Sequence, residues 1–119
     1  MSPSSPSARS LAEMRRRDWT AQVVERWVPQ ARRRIDLFGV IDILALDGEP
    51  GCIGIQATTG SNHASRRKKA LAEPRLLLWL RAGNRFEVWS WRKGANGRWT
   101  LRSEPIEKGD VRFRSPSDS

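Results

Sequence analysis

The chain has 119 residues, with 22 Lys and Arg against 13 Asp and Glu, a net charge of +9, one cysteine and one histidine. A single cysteine excludes an internal disulfide and a cysteine-rich zinc centre, and no apolar run approaches the roughly 20 residues that span a bilayer. With no apolar secretory segment at the start, the expectation is one reduced, cytoplasmic domain whose excess of cations suits a polyanionic partner.

Residues 1–9 (MSPSSPSAR) and 114–119 (RSPSDS) are rich in Ser and Pro and have little to bury, so they read as disordered tails around a single domain at 10–113. Ser10 is placed to cap a short helix through Leu11, Ala12 and Met14 that ends in Arg15–Arg17. Thr20–Trp27, rich in β-branched and aromatic residues, predicts a strand that Pro29 stops. Gln30–Arg34 follows as a polar, basic surface linker carrying Arg32, Arg33 and Arg34. Val40–Leu46 predicts a buried strand interrupted only by Asp42. The Asp47–Gly51 turn then leads into Ile53–Thr58 as the second strand of an antiparallel hairpin. Thr59–Asn62 forms a loop in which Ser61 or Asn62 caps a helix over His63–Ala72, ended by Pro74. Leu76–Leu80 predicts a short strand covered on both faces, and Arg85–Arg92 and Arg98–Ser103 complete a three-stranded meander with it.

Side-chain direction singles out one place in this plan. Residues two apart in a strand share a face, so Ile53, Ile55 and Ala57 form an apolar face. Gly54, Gln56 and Thr58 form the other, an amide and a hydroxyl beside a glycine that admits close approach. A carboxylate at Asp42 is costly unless a cation or a donor meets it, and closing the hairpin brings it near Gln56 or Thr58. Oxygens from Asp42, the Gln56 amide and the Ala57 carbonyl suit Mg²⁺. Glu25 and Asp36 are candidate further carboxylates; their plainer readings are a strand residue paired with an Arg and a turn aspartate.

Asp42, a turn, Gln56-x-Thr58 on the next strand and then a basic helix resembles the PD-(D/E)xK nuclease superfamily, whose pattern is an Asp, then an acidic residue, any residue and Lys. Asp36–Leu71 carries most of the likeness, and it is especially similar to small phage-type and Holliday-junction-resolvase-like members. The resemblance implies an α/β fold with a restriction-endonuclease-like αβββαβ core, a mixed sheet flanked by helices, here followed by a C-terminal β-meander. It also implies Mg²⁺ or Mn²⁺ as cofactor and cleavage of DNA, branched or single-stranded forms included. A homodimer is a further implication, since resolvase-like members commonly pair. By position Asp42 matches the metal-binding aspartate, Gln56 stands where the family has its acid, and Thr58 stands where it has Lys. Either Lys68 or Lys69 from the following helix replaces that cation, or the fold has lost its chemistry and only binds nucleic acid.

The remaining features divide between DNA contacts and ordinary structure. Arg66 and Lys69 share a helix face and reach one backbone phosphate, or form a solvated face. With Arg67 and Lys68 they make a dense basic run. Ser61 and Asn62 precede a helix N-terminus, which favours an anion but also describes a plain cap. His63 reads as a general base, a phosphate ligand or simply a residue near a helix start. Trp89 and Trp91 share a strand face, near Trp99 on the next strand; such a set stacks unpaired bases or, more commonly, packs across strands. Trp19, Trp27 and Trp79 are assigned to the core, and Cys52 to packing. The least specific reading of the charge is a basic protein-interaction module.

Overall fold

The computed structural model describes residues 5–111. Helix α1 (Pro6–Arg16) starts before Ser10, because Ser5 Oγ accepts the Ala8 N–H at 3.0 Å and Pro6 sits in the first turn, where its missing N–H loses nothing. Residues 5–9 therefore belong to the helix and its cap, not to a tail. Residues 1–4, the end of the domain at 112–113 and the tail at 114–119 lie outside the described residues. Ser10 is no cap. It is buried inside α1, where its hydroxyl accepts the Trp91 indole N–H at 2.9 Å.

Seven strands follow among the described residues: β1 (Thr20–Val23), β2 (Arg26–Val28), β3 (Arg33–Ile35), β4 (Ile43–Leu46), β5 (Ile53–Thr59), β6 (Arg85–Lys93) and β7 (Trp99–Pro105). Five of them form a mixed sheet in the order β1-β4-β5-β6-β7, with β5 and β6 parallel and the other neighbours antiparallel. Parallel neighbours need a crossover, and here it consists of α2 (His63–Leu71) and α3 (Pro74–Arg81). Side-chain alternation supplies two cores. Met14 of α1 packs with Ile43, Ala45, Ile53, Ile55 and Trp89 on one face, and Ala70, Leu71, Leu76 and Leu80 pack with Ile41, Phe86 and Val88 on the other. The expected α/β class with a mixed sheet between helices thus holds. Trp89 and Trp91 are buried beneath α1 and are not available to bases.

Three segments fold otherwise than their local patterns predict. Leu76–Leu80 is helical: Glu73 caps α3 by accepting the Arg75 N–H at 3.0 Å, and Pro74 opens that helix rather than ending the one before. Leu76 and Leu80, four apart, are buried, whereas Leu78 is 63 % exposed. A run of five apolar residues fits either period, so it fixes neither. The meander is accordingly the two strands β6 and β7.

Thr20–Trp27 is not one strand either. It breaks at Val24–Glu25, whose N–H groups donate to the Asp42 carbonyl at 2.9 and 3.4 Å. Beyond the break, β2 pairs only with β3, as a separate two-stranded ribbon that takes up part of the expected linker. Finally, β4 starts at Ile43 rather than Val40, because residues 37–41 close a tight loop.

Candidate metal centre

Three pieces of backbone converge on one spot. Leu37 and Ile41 exchange N–H···O bonds of 2.8 and 3.0 Å, with Phe38 and Gly39 at positive φ between them. That pinch sets Asp36 and Asp42 side by side at the two ends of the loop. The bonds from Val24 and Glu25 to the Asp42 carbonyl then draw Glu25 to the same place. One carboxylate oxygen from each of Glu25, Asp36 and Asp42 lies within 4.8 Å of the others.

Strand β5 supplies the floor. The Ala57 N–H donates to both Asp42 oxygens at 3.2 and 3.1 Å, and Gln56 Nε2 donates to Asp42 Oδ2 at 3.1 Å. Gln56 is only 4 % exposed, and with its amide so turned, Oε1 is buried without a hydrogen-bond partner. A buried, unpaired acceptor is costly and needs a reason. Gln56 lines the same cavity as Glu25, Asp36 and Asp42, so hard oxygen atoms dominate the local set. That donor set fits Mg²⁺ or Mn²⁺, which take carboxylate, amide and water oxygens.

Electrostatics point the same way. Burial pushes the Asp42 carboxyl up to about 8; the nearby Asp36 and Glu25 add to this, while the N–H groups of Ala57 and Gln56 pull against it. Glu25 is also raised, by burial first and then by Asp36, with Arg34 opposing at 3.7 Å. Carboxyls held above their ordinary range by burial, and further by one another, are what a cation would relieve.

The acids line a cavity of about 430 Å³ that also takes in Arg33, Arg34, Arg66 and Lys69. Of the expected nucleic-acid contacts, these four border it, while Arg32, Ser61, Asn62, Arg67 and Lys68 do not. Arg67 is committed elsewhere, to Glu104 at 2.9 Å. Ser61 and Asn62 provide no side-chain cap for α2; Ser61 Oγ instead meets Thr59 Oγ1 at 3.1 Å. Thr58 is buried and does not line the cavity.

His63 is buried on the α2 side of the sheet, with Nδ1 2.6 Å from Ser90 Oγ and Nε2 2.7 Å from Glu104 Oε1. It is a structural link, and nothing near it in the sequence announces partners so far along the chain. The Ala57 N–H as the orienting donor of Asp42 also escapes sequence reading, because backbone groups carry no residue signature. Comparisons of the chain with protein-family models, with curated proteins and with solved structures found no match. Functional assignment therefore rests on geometry.

Proposed function

We propose that this chain is a metal-dependent nuclease that hydrolyses DNA phosphodiester bonds. The observation that carries the reading is the convergence of Glu25, Asp36 and Asp42 beside the unpaired Gln56 Oε1. Asp36 and Glu25 supply the acids that the Asp42…Gln56-x-Thr58 motif lacks. The element order supports a restriction-endonuclease-like core: α1, β1, β4, β5, then α2 and β6, with β5 and β6 parallel. In that reading β2 and β3 are an insertion between the first two core strands.

Glu25, Asp36, Asp42 and Gln56 would hold Mg²⁺ or Mn²⁺. Bound there, the ion supplies Lewis-acid polarisation and a water of lowered pKa. The chain's own groups do the rest. The Ala57 N–H and Gln56 amide fix the Asp42 carboxylate in orientation, so little reorganisation remains. Arg66 and Lys69, on the neighbouring helix face, offset the charge of the phosphate, and Lys69 takes the cationic role that Thr58 does not fill.

The burial of Thr58 away from the cavity favours a second reading, a nucleic-acid-binding domain without catalysis. One experiment separates the two. With Mg²⁺ or Mn²⁺, purified protein should cleave linear, branched or single-stranded DNA, and Glu25→Gln or Asp42→Asn should lower the rate on the order of a hundredfold or more. DNA that is bound but left intact by the wild type, with either metal, refutes the nuclease reading and leaves the binding one.

A further inference from the structure

The ribbon β2–β3 stands outside the main sheet, and its composition is one-sided. Arg26, Arg32, Arg33 and Arg34 are all exposed, and Trp27 is 55 % exposed against its expected place in the core. A large indole left in water on a cationic arm is not explained by packing. The register shows where it is aimed. Trp27 lies directly opposite Arg34, and Arg26 opposite Ile35. Continuing by one residue on each chain reaches Glu25 and Asp36, two carboxylates of the candidate metal centre. Alternation places Trp27 and Arg34 on one face of the ribbon, and Arg34 reaches back to Glu25, its guanidinium 3.7 Å from Oε1. Trp27 follows Glu25 by only two residues, about 7 Å of extended chain at most.

We propose that Trp27 and Arg34 hold an unpaired nucleotide next to the acidic cavity, the indole stacking on its base and the guanidinium meeting its phosphate. This rests on the reading of the chain as a DNA-processing protein and narrows its ligand to single-stranded DNA. Charge complementarity favours a nucleic acid over a protein: the arm carries four arginines, and of its nearby acids Glu25 and Asp36 are already committed to the cavity. Stacking favours an unpaired base over a duplex, because only an unstacked base offers a face to the ring. Arg34, 64 % exposed and only loosely paired with Glu25, is free to turn to a phosphate.

The test is binding of the full chain to a labelled single strand and to the matching duplex, at physiological salt, with Ca²⁺ replacing Mg²⁺ to suppress cleavage. The wild type should prefer the single strand. Trp27→Ala should weaken that binding on the order of tenfold or more, leave duplex affinity within about twofold and be restored largely by Trp27→Phe. Arg34→Ala should weaken binding and reduce the salt dependence by about one phosphate contact. Unchanged single-strand affinity in Trp27→Ala overturns the proposal, as does an equal loss on both ligands, which would mark a ribbon lying in a groove. No DNA binding at all overturns it too. Cleavage is scored separately with Mg²⁺: Trp27-dependent binding without cleavage refutes the nuclease reading while upholding this one.

Discussion

Replacing Asp42 by Asn should make the metal-free protein more stable at pH 8, although it removes the central residue of the candidate site. Asp42 is raised to about 8 in the folded chain, mainly by burial, whereas an unfolded aspartate titrates near 4. The folded state therefore holds a proton that the unfolded state gives up, and stability falls as pH rises from about 4 towards 8. At pH 7 this amounts to at most about 4 kcal/mol, from about three pKa units at roughly 1.4 kcal/mol each. Solvent in the adjoining cavity screens part of it, so about 2 kcal/mol is the working expectation. Asn carries no charge, still accepts the Ala57 N–H through its oxygen, and, once the Gln56 amide flips to replace its present Nε2 bond, donates its NH₂ to Oε1, which now has no partner. Thermal unfolding across pH 5 to 8 with a chelator should show the wild type losing stability steeply while Asp42→Asn keeps only the slope that the raised Glu25 contributes. At pH 8 the variant should melt on the order of 10 °C higher. Mg²⁺ or Mn²⁺ should flatten the wild-type curve and leave the variant unmoved. A wild type as stable at pH 8 as at pH 5 without metal would refute the reasoning, as would a variant destabilised at every pH.

Two further outcomes test the fold. Leu80→Ala should cost about 2–4 kcal/mol in chemical denaturation, whereas Leu78→Ala should stay within about 0.5 kcal/mol; similar losses at both would favour a strand over the helix α3. His63→Ala should cost about 2–3 kcal/mol by leaving Ser90 and Glu104 without their shared partner, and a neutral effect would remove its bridging role.

What sequence reasoning reached, and what it missed, follows from how far each signal extends. The β4–β5 hairpin was legible because the Asp47–Gly51 turn and the alternation of Ile53, Ile55 and Ala57 are local and agree with each other. Closing that hairpin brought Asp42 near Gln56 or Thr58 without choosing between them, and it is Gln56 that meets it. Leu76–Leu80 was not legible, since the cap that makes it helical is Glu73 rather than one of the usual small polar residues. Nor was the start of α1, where Ser5-Pro6-Ser7 has the composition of a tail and the geometry of a cap. Glu25 and Asp36 could be nominated as carboxylates, but their meeting depends on the Leu37–Ile41 pinch and on a strand break at Val24–Glu25. The pinch turns on a non-glycine residue, Phe38, at positive φ, and the break on a carbonyl seventeen or more residues along the chain; neither has a residue signature. Trp27 went to the core because an aromatic residue in a strand usually packs, and only a strand that leaves the main sheet exposes it.

Glu104 accepts from both His63 and Arg67, residues one turn apart on α2. Two attachments to one carboxylate act as a key in a shaft: α2 cannot roll about its axis without losing a bond to β7. Arg66 and Lys69 project from that same helix towards the cavity. The angle at which the cations face the acids is thus set on another side of the helix, at an edge strand of the sheet. A change at Glu104 would leave the acids of the cavity in place and free its positive wall to turn away.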